Sequence, residues 1–219
     1  MSARNPNFAA MSRRAAITAA ALASMAALAG CGGGGGAGSA AEGDMAMGAP
    51  EGAKVTVVEY ASVTCPHCAA WQEEVWPAFK AKYVDTNQVR YVFRELPTAP
   101  TNVAVAGFAI ARCAGEDKYF DVVHAIMASQ TEWQTGVNPR DTLFRVGNGA
   151  GLSNQQIEDC IKDPEALKAA DARARAAIAA GVNGTPAFYV NGTQVVTPGS
   201  AGGASLEDLS KAIDAELAK

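Results

Sequence analysis

Cys65-Pro66-His67-Cys68 constrains this chain more than any other segment. Two cysteines two residues apart can close a small disulfide ring or supply half of a metal site, so the flanking sequence has to decide. Before the tetrad, Val55-Thr56-Val57-Val58-Glu59-Tyr60 is an apolar run with strand character. After it, Ala69-Ala70-Trp71-Gln72-Glu73-Glu74-Val75 reads as a helix. A CxxC at a strand-to-helix junction places its first sulfur at a helix N-terminus. Unpaired N–H groups and the positive end of the helix dipole favour a thiolate there. That pattern points to thiol–disulfide exchange. No second cysteine pair stands at ligand spacing, and the chain has two histidines, His67 and His124, so the tetrad is a poor zinc site.

The first thirty residues read as a leader. Arg4, Arg13 and Arg14 give it positive charge, no acidic residue precedes Glu42, and an apolar, Ala-rich run extends from Ala15 to Ala29. The run is too short and too rich in alanine for a membrane span. It ends in Leu28-Ala29-Gly30-Cys31, which resembles the lipobox of bacterial lipoproteins, in which the cysteine is lipidated and becomes the mature N-terminus. Ser12-Arg13-Arg14 is a partial match to a twin-arginine export signal. Loss of residues 1–30 leaves 15 basic against 22 acidic residues, a net charge of −7, which argues against a nucleic-acid partner. Residues 31–53, with five consecutive glycines, read as a lipid-anchored flexible linker, spanning roughly 25 Å as a coil.

Beyond the linker, residues 54–60 read as a strand and 66–84 as a helix with a kink at Pro77. Residues 88–95 alternate like a second strand, and strand–helix–strand implies a parallel right-handed crossover. About 80 residues of helical pattern follow: Val103–Ile110, Tyr119–Met127, a helix opened by Asn138-Pro139, one capped by Ser153, and one opened by Pro164. Ala187–Val190 and Thr193–Val196 flank Asn191-Gly192, a strong hairpin signal. Ser205 with Asp208 starts a last helix. The expected class is α/β: a thioredoxin fold over 54–100 and 182–219 with an inserted all-helical domain over 101–181.

With Cys65-Pro66-His67-Cys68, Gly184-Thr185-Pro186 before the hairpin, and a helical insert of this size, residues 54–219 resemble the DsbA-like disulfide oxidoreductases. The resemblance implies that Cys65 is the attacking thiolate and Cys68 the resolving thiol. It implies that Thr185-Pro186 forms a cis-proline loop facing the tetrad, and that Glu59 is a buried acid beneath it. His67 is expected to donate to the Cys65 sulfur, Pro66 to fix the ring backbone, and Glu59 to accept the Cys68 proton through water. A lowered Cys65 pKa favours the reduced form and makes the disulfide a stronger oxidant; the direction is known from DsbA itself.

Five cysteines is an odd number, and lipidation of Cys31 would leave four. Four cysteines allow three connectivities. Pairing within the tetrad leaves a structural Cys113–Cys160 disulfide, worth roughly 4 kcal/mol on the chain-entropy model; two buried free thiols are the alternative. Some DsbA-like proteins carry such a second disulfide. Together with the lipobox match at Cys31, the resemblance implies a lipid-anchored monomer at the periplasmic face of a bacterial membrane, without metal or cofactor. Its partners would be reduced unfolded proteins and a DsbB-like membrane reoxidant. Two rival readings stay open: a disulfide isomerase or reductase, and a non-catalytic metal-carrying lipoprotein for which Met45 and Met47 would be candidate extra ligands. His124 is expected to pack or lie at the surface, and Trp71, Trp76 and Trp133 to serve packing.

Overall fold

The computed structural model describes residues 38, 41, 43–200 and 203–219; residues 1–37, with Cys31 and the five consecutive glycines, lie outside them. Five strands form one sheet in the order β1-β3-β2-β4-β5. β1 is Met45–Gly48, β2 Thr56–Ala61, β3 Arg90–Glu95, β4 Ala187–Val190 and β5 Thr193–Val195. β2 and β3 are parallel, and the other pairs are antiparallel. The crossover from β2 to β3 holds α1 (Pro66–Glu74), α2 (Trp76–Phe79) and a π-helical turn, Lys80–Val84. Pro77 stands in the first turn of α2, where a missing N–H is harmless, so the chain breaks at Val75 and restarts.

Six helices separate β3 from β4: α3 (Thr101–Cys113), α4 (Glu116–Ala128), α5 (Gln130–Gln134), α6 (Pro139–Gly149), α7 (Asn154–Lys162) and α8 (Pro164–Ala179). α9, Leu206–Leu217, closes the fold. Local chemistry accounts for the boundaries. Asn138, Ser153, Asp163 and Ser205 each cap a helix with a side-chain oxygen, and Ser153 forms a full capping box with Gln156. Asn191 and Gly192 both take positive φ, as a tight two-residue hairpin requires.

Strand periodicity divides the core. Val57, Ala61, Tyr91, Phe93, Phe188 and Val190 face the larger cluster, whereas Val58, Tyr60, Val92 and Tyr189 face a smaller one that includes Ala177 of α8. Glu59 shares the parity of Val57 and Ala61, so the sheet drives it into the larger core.

β1 corrects the expected linker. Residues 45–48 fall inside 31–53, yet they pair in register with β3, Met45 opposite Phe93. Met45 is buried in the larger core and Met47 packs against it on the same face. The two methionines thus serve packing, and the reading of them as extra metal ligands is replaced. Their two-residue spacing is strand period.

Glu95, at the end of β3, anchors the insert. It is 3% exposed and accepts from Arg112 Nε at 2.6 Å, Arg173 Nε at 2.9 Å and the Tyr119 hydroxyl at 3.0 Å. Three helices are thereby tied to one carboxylate. Cys113, beside Arg112, is disulfide-bonded to Cys160 of α7 with Cα atoms 6.3 Å apart, joining the C-terminal end of α3 to α7.

Candidate active site

Cys65 is the N-cap of α1, with extended φ and ψ of −84° and 118°. An N-cap side chain faces the free N–H groups of the first turn. Its Sγ accepts from the Cys68 N–H at 3.3 Å and donates to the Thr185 carbonyl at 3.4 Å. Pro66 occupies the first helical position. Cys68 is the third, and its side chain is fully buried.

The two thiols shift their pKa values in opposite directions. A hydrogen bond from the Cys68 thiol pulls the Cys65 pKa down; burial opposes this, and the Thr185 side chain and the backbone N–H groups of Cys68 and His67 reinforce it. The result is about 6, against an ordinary 9.0. Burial pushes Cys68 well up, and donating to the Cys65 sulfur adds to the effect. One member of the pair is poised as an anion and the other as a thiol.

His67 departs from expectation. Its side chain is exposed, and its contribution to the Cys65 shift comes from the backbone N–H. At the second helical position Cα–Cβ points outward while the N–H points along the axis toward the N-cap, so the ring is directed to solvent.

Thr185-Pro186 is a cis peptide. It sits against the tetrad through the Thr185 carbonyl, and Gly203 backs it from behind. Gly203 has φ of +86°, and a Cβ there would lie 2.8 Å from Pro186 Cγ and 2.9 Å from Phe188 Cε2, so the close approach needs glycine. Trp71 of α1 donates Nε1 to the neighbouring Ala204 carbonyl at 2.8 Å and packs on Phe188 with centroids 4.5 Å apart.

Glu59 is fully buried on β2. Burial pushes its pKa to about 8; the Tyr91 hydroxyl, its hydrogen-bond partner, opposes this, and the Cys65 charge adds to it. The reverse influence, Glu59 raising Cys68, couples the acid to the buried thiol. Tyr91 does not stand out in the sequence, because on an alternating strand it reads as one more apolar position. Gln130 is equally silent there. From α5 it donates Nε2 to the carbonyls of Val63, at 2.8 Å, and Cys65, at 3.2 Å.

Cys65, Pro66, Cys68, Thr185, Pro186 and Glu59 thus converge at the C-terminal end of β2. Cys113 and Cys160 lie apart, and Cys31 lies outside the described residues. Among the described residues no cluster of three or more His, Cys, Asp or Glu could hold a metal ion. His124 is half-buried beside Trp76, ring centroids 5.2 Å apart, and burial lowers its pKa to about 4.

A thioredoxin family model matches residues 40–215. A provisionally named protein-disulfide oxidoreductase of Rickettsia conorii is 33% identical over 178 residues, covering 80% of this chain and 61% of the relative. Its counterpart in Rickettsia typhi is 34% identical over 176 residues, covering 80% and 62%. The chain therefore spans about three fifths of the length of these curated relatives. Among solved structures, alpha-DsbA1 of Wolbachia pipientis superposes with a TM-score of 0.71 at 24% identity, covering 82% of this chain and 93% of that one. A thioredoxin-like oxidoreductase of Silicibacter pomeroyi gives 0.62 at 26% identity, covering 80% and 93%.

Proposed function

Because this chain belongs to the thioredoxin family, we propose that it is a DsbA-like protein thiol:disulfide oxidoreductase that donates a Cys65–Cys68 disulfide to folding proteins. A substrate thiolate attacks Cys65 Sγ, forming a mixed disulfide and breaking the Cys65–Cys68 bond. Cys68 leaves as a thiolate and takes up a proton. A second substrate thiolate attacks the substrate sulfur of the mixed disulfide and expels Cys65 as a thiolate. The substrate loses two electrons and the tetrad gains them. Glu59, an acid that holds its proton at neutral pH, supplies the Cys68 proton in this direction and accepts it back on reoxidation. The Thr185 backbone, beside the reactive sulfur, pairs with an extended substrate segment.

The observation that carries this reading is geometric: Cys65 Sγ stands at the N-cap of α1, accepting the Cys68 N–H at 3.3 Å beside the cis Thr185-Pro186 peptide, while Cys68 is fully buried, so the two thiols shift in opposite senses, Cys65 down to about 6 and Cys68 up. A stable leaving thiolate makes a disulfide oxidising. The leader and Leu28-Ala29-Gly30-Cys31 extend the proposal to a lipid-anchored monomer at the periplasmic face of a bacterial membrane. There a DsbB-like membrane protein would take the electrons. Residues 54–100 and 182–219 would form the catalytic domain and 101–181 the insert.

The test is to mix pre-oxidised protein with a reduced, unfolded client at pH 7, and to titrate thiolate absorbance of the reduced protein. The expected outcome is client oxidation, lost in Cys65→Ser, with a thiolate midpoint near 6. A client left reduced, an unshifted midpoint, or a potential close to thioredoxin's, about −270 mV, would overturn the donor reading.

A further inference from the structure

The turn that carries Cys65 is held from two sides. On one side stand groups local to the sheet: the Thr98 N–H donates to Ser62 Oγ at 3.1 Å, and Thr64 Oγ1 to the Thr98 carbonyl at 3.0 Å. On the other side stands the helical insert. Gly107 of α3 is pressed so close to Val63 that a Cβ would meet its Cγ2 at 2.9 Å. Gln130 of α5 reaches in beside it.

Gln130 is 8% exposed, and one amide nitrogen serves two carbonyls, one N–H for Val63 and one for Cys65. The Cys65 carbonyl also accepts the first bond of α1, from the Ala69 N–H at 3.1 Å. The Val63 carbonyl has no other hydrogen-bond donor among the described residues. Loss of the amide would leave it buried and unpaired, a state the chain escapes by rotating the peptides on either side of Thr64. The Thr64–Cys65 peptide sets the φ of Cys65, and hence where its sulfur stands relative to the Cys68 N–H.

We propose that Gln130 is a positioning residue for the thiol chemistry, the point at which the helical insert fixes the backbone of residues 63–65 and so seats the Cys65 sulfur at the N-cap. The proposal rests on the disulfide-exchange reading and assigns the insert a part in it. An amide suits this role because it has two N–H donors and carries no charge that would perturb a nearby thiolate, and its short helix sets it at the right depth. Gln130 touches no reacting atom and acts through the two carbonyls.

The test compares wild type with Gln130→Met, similar in length but without donors, and Gln130→Glu, which sets an acceptor against two acceptors. The readouts are the thiolate midpoint of Cys65 and the equilibrium constant with glutathione, each measured on protein shown to be folded. In Gln130→Met the midpoint should rise by about one unit, and at pH 7 the glutathione constant should move about fivefold toward a more stable disulfide. Gln130→Glu should shift both further in the same direction. An unchanged midpoint in a folded variant, whatever its loss of stability, would overturn the proposal and leave Gln130 a structural residue. Should neither variant fold, the side-chain amide resonance of Gln130 in the wild type decides: it should titrate with the midpoint of Cys65, and a flat response overturns the inference. A wild-type midpoint that is itself unshifted sinks the donor function instead, independently of Gln130.

Discussion

Glu59 and Glu95 lie on adjacent parallel strands, on the same face of the sheet, and both are nearly inaccessible to water. Their surroundings differ completely. Glu95 has two guanidiniums and the Tyr119 hydroxyl on its two oxygens. Glu59 has the Tyr91 hydroxyl on one oxygen, while its other oxygen is buried without a partner among the described residues. A carboxylate between two cations is a fixed charge that holds elements together. A carboxyl in an apolar core without a cation keeps its proton at neutral pH and can exchange it. Burial alone therefore does not distinguish an anchor from a proton carrier; the presence of a counter-ion does.

The largest effect should come from breaking the anchor. Glu95→Gln removes the charge that Arg112 and Arg173 surround and leaves both with an unmatched side. Breaking a buried pair costs about 3–5 kcal/mol, and the partial exposure of the two arginines puts the expectation at the low end, about 3 kcal/mol. Urea unfolding at pH 7 measures it, with the Cys65 thiolate midpoint unchanged in the folded variant. A loss below about 1 kcal/mol would reduce Glu95 to an ordinary surface pair.

Glu59 should respond in the opposite sense. Its pKa rises from 4.5 to about 8 on folding, so between those values the folded reduced protein holds a proton that the unfolded chain has released. Stability is then greatest below about pH 4.5 with respect to this group and falls as pH rises, reaching a loss of about 3 kcal/mol by pH 7. Glu59→Gln should flatten that slope and leave a protein at least as stable as wild type at pH 7, but slower to oxidise a client. Unfolding measured from pH 5 to 8 checks it. A wild-type profile without the slope would place a counter-ion near Glu59 and erase the contrast with Glu95.

Much of this is legible in the chain because local signals suffice. The CxxC at a strand-to-helix junction, the Asn191-Gly192 turn, the prolines at 139 and 164 and the caps at Ser153 and Ser205 each act over a few residues. What escapes a sequence reading depends on distant partners. β1 is four residues of Met, Ala and Gly after a glycine tract, and it is a strand because β3 offers an edge some 45 positions later. Glu95 ends a strand in sequence, and its cations stand at 112 and 173. Gln130 lies on a five-residue helix without amphipathic period, and the carbonyls it serves lie 65 and 67 positions earlier. Glu59 can be placed by resemblance, but the hydroxyl that tunes it emerges only when the sheet brings Tyr91 beside it.

Tyr91 offers the finest test of the comparison. Its hydroxyl donates to Glu59 and pulls the acid's pKa down against the effect of burial. Tyr91→Phe keeps the ring that packs on Trp76, with centroids 4.7 Å apart, and deletes the donor. The Glu59 pKa should therefore climb further above about 8, by about one unit, equivalent to about 1.4 kcal/mol. At pH 7 the acid then holds its proton more tightly in both directions of the reaction. In the proposed mechanism ionised Glu59 accepts the Cys68 proton on reoxidation, so that step should slow about tenfold, while the Cys65 thiolate midpoint stays in place. Infrared detection of the protonated carboxyl across a pH series reads the shift directly. A downward movement would show that the phenol stabilises the protonated acid, and the contrast with the Tyr119 hydroxyl on Glu95 would then lie in the counter-ions alone.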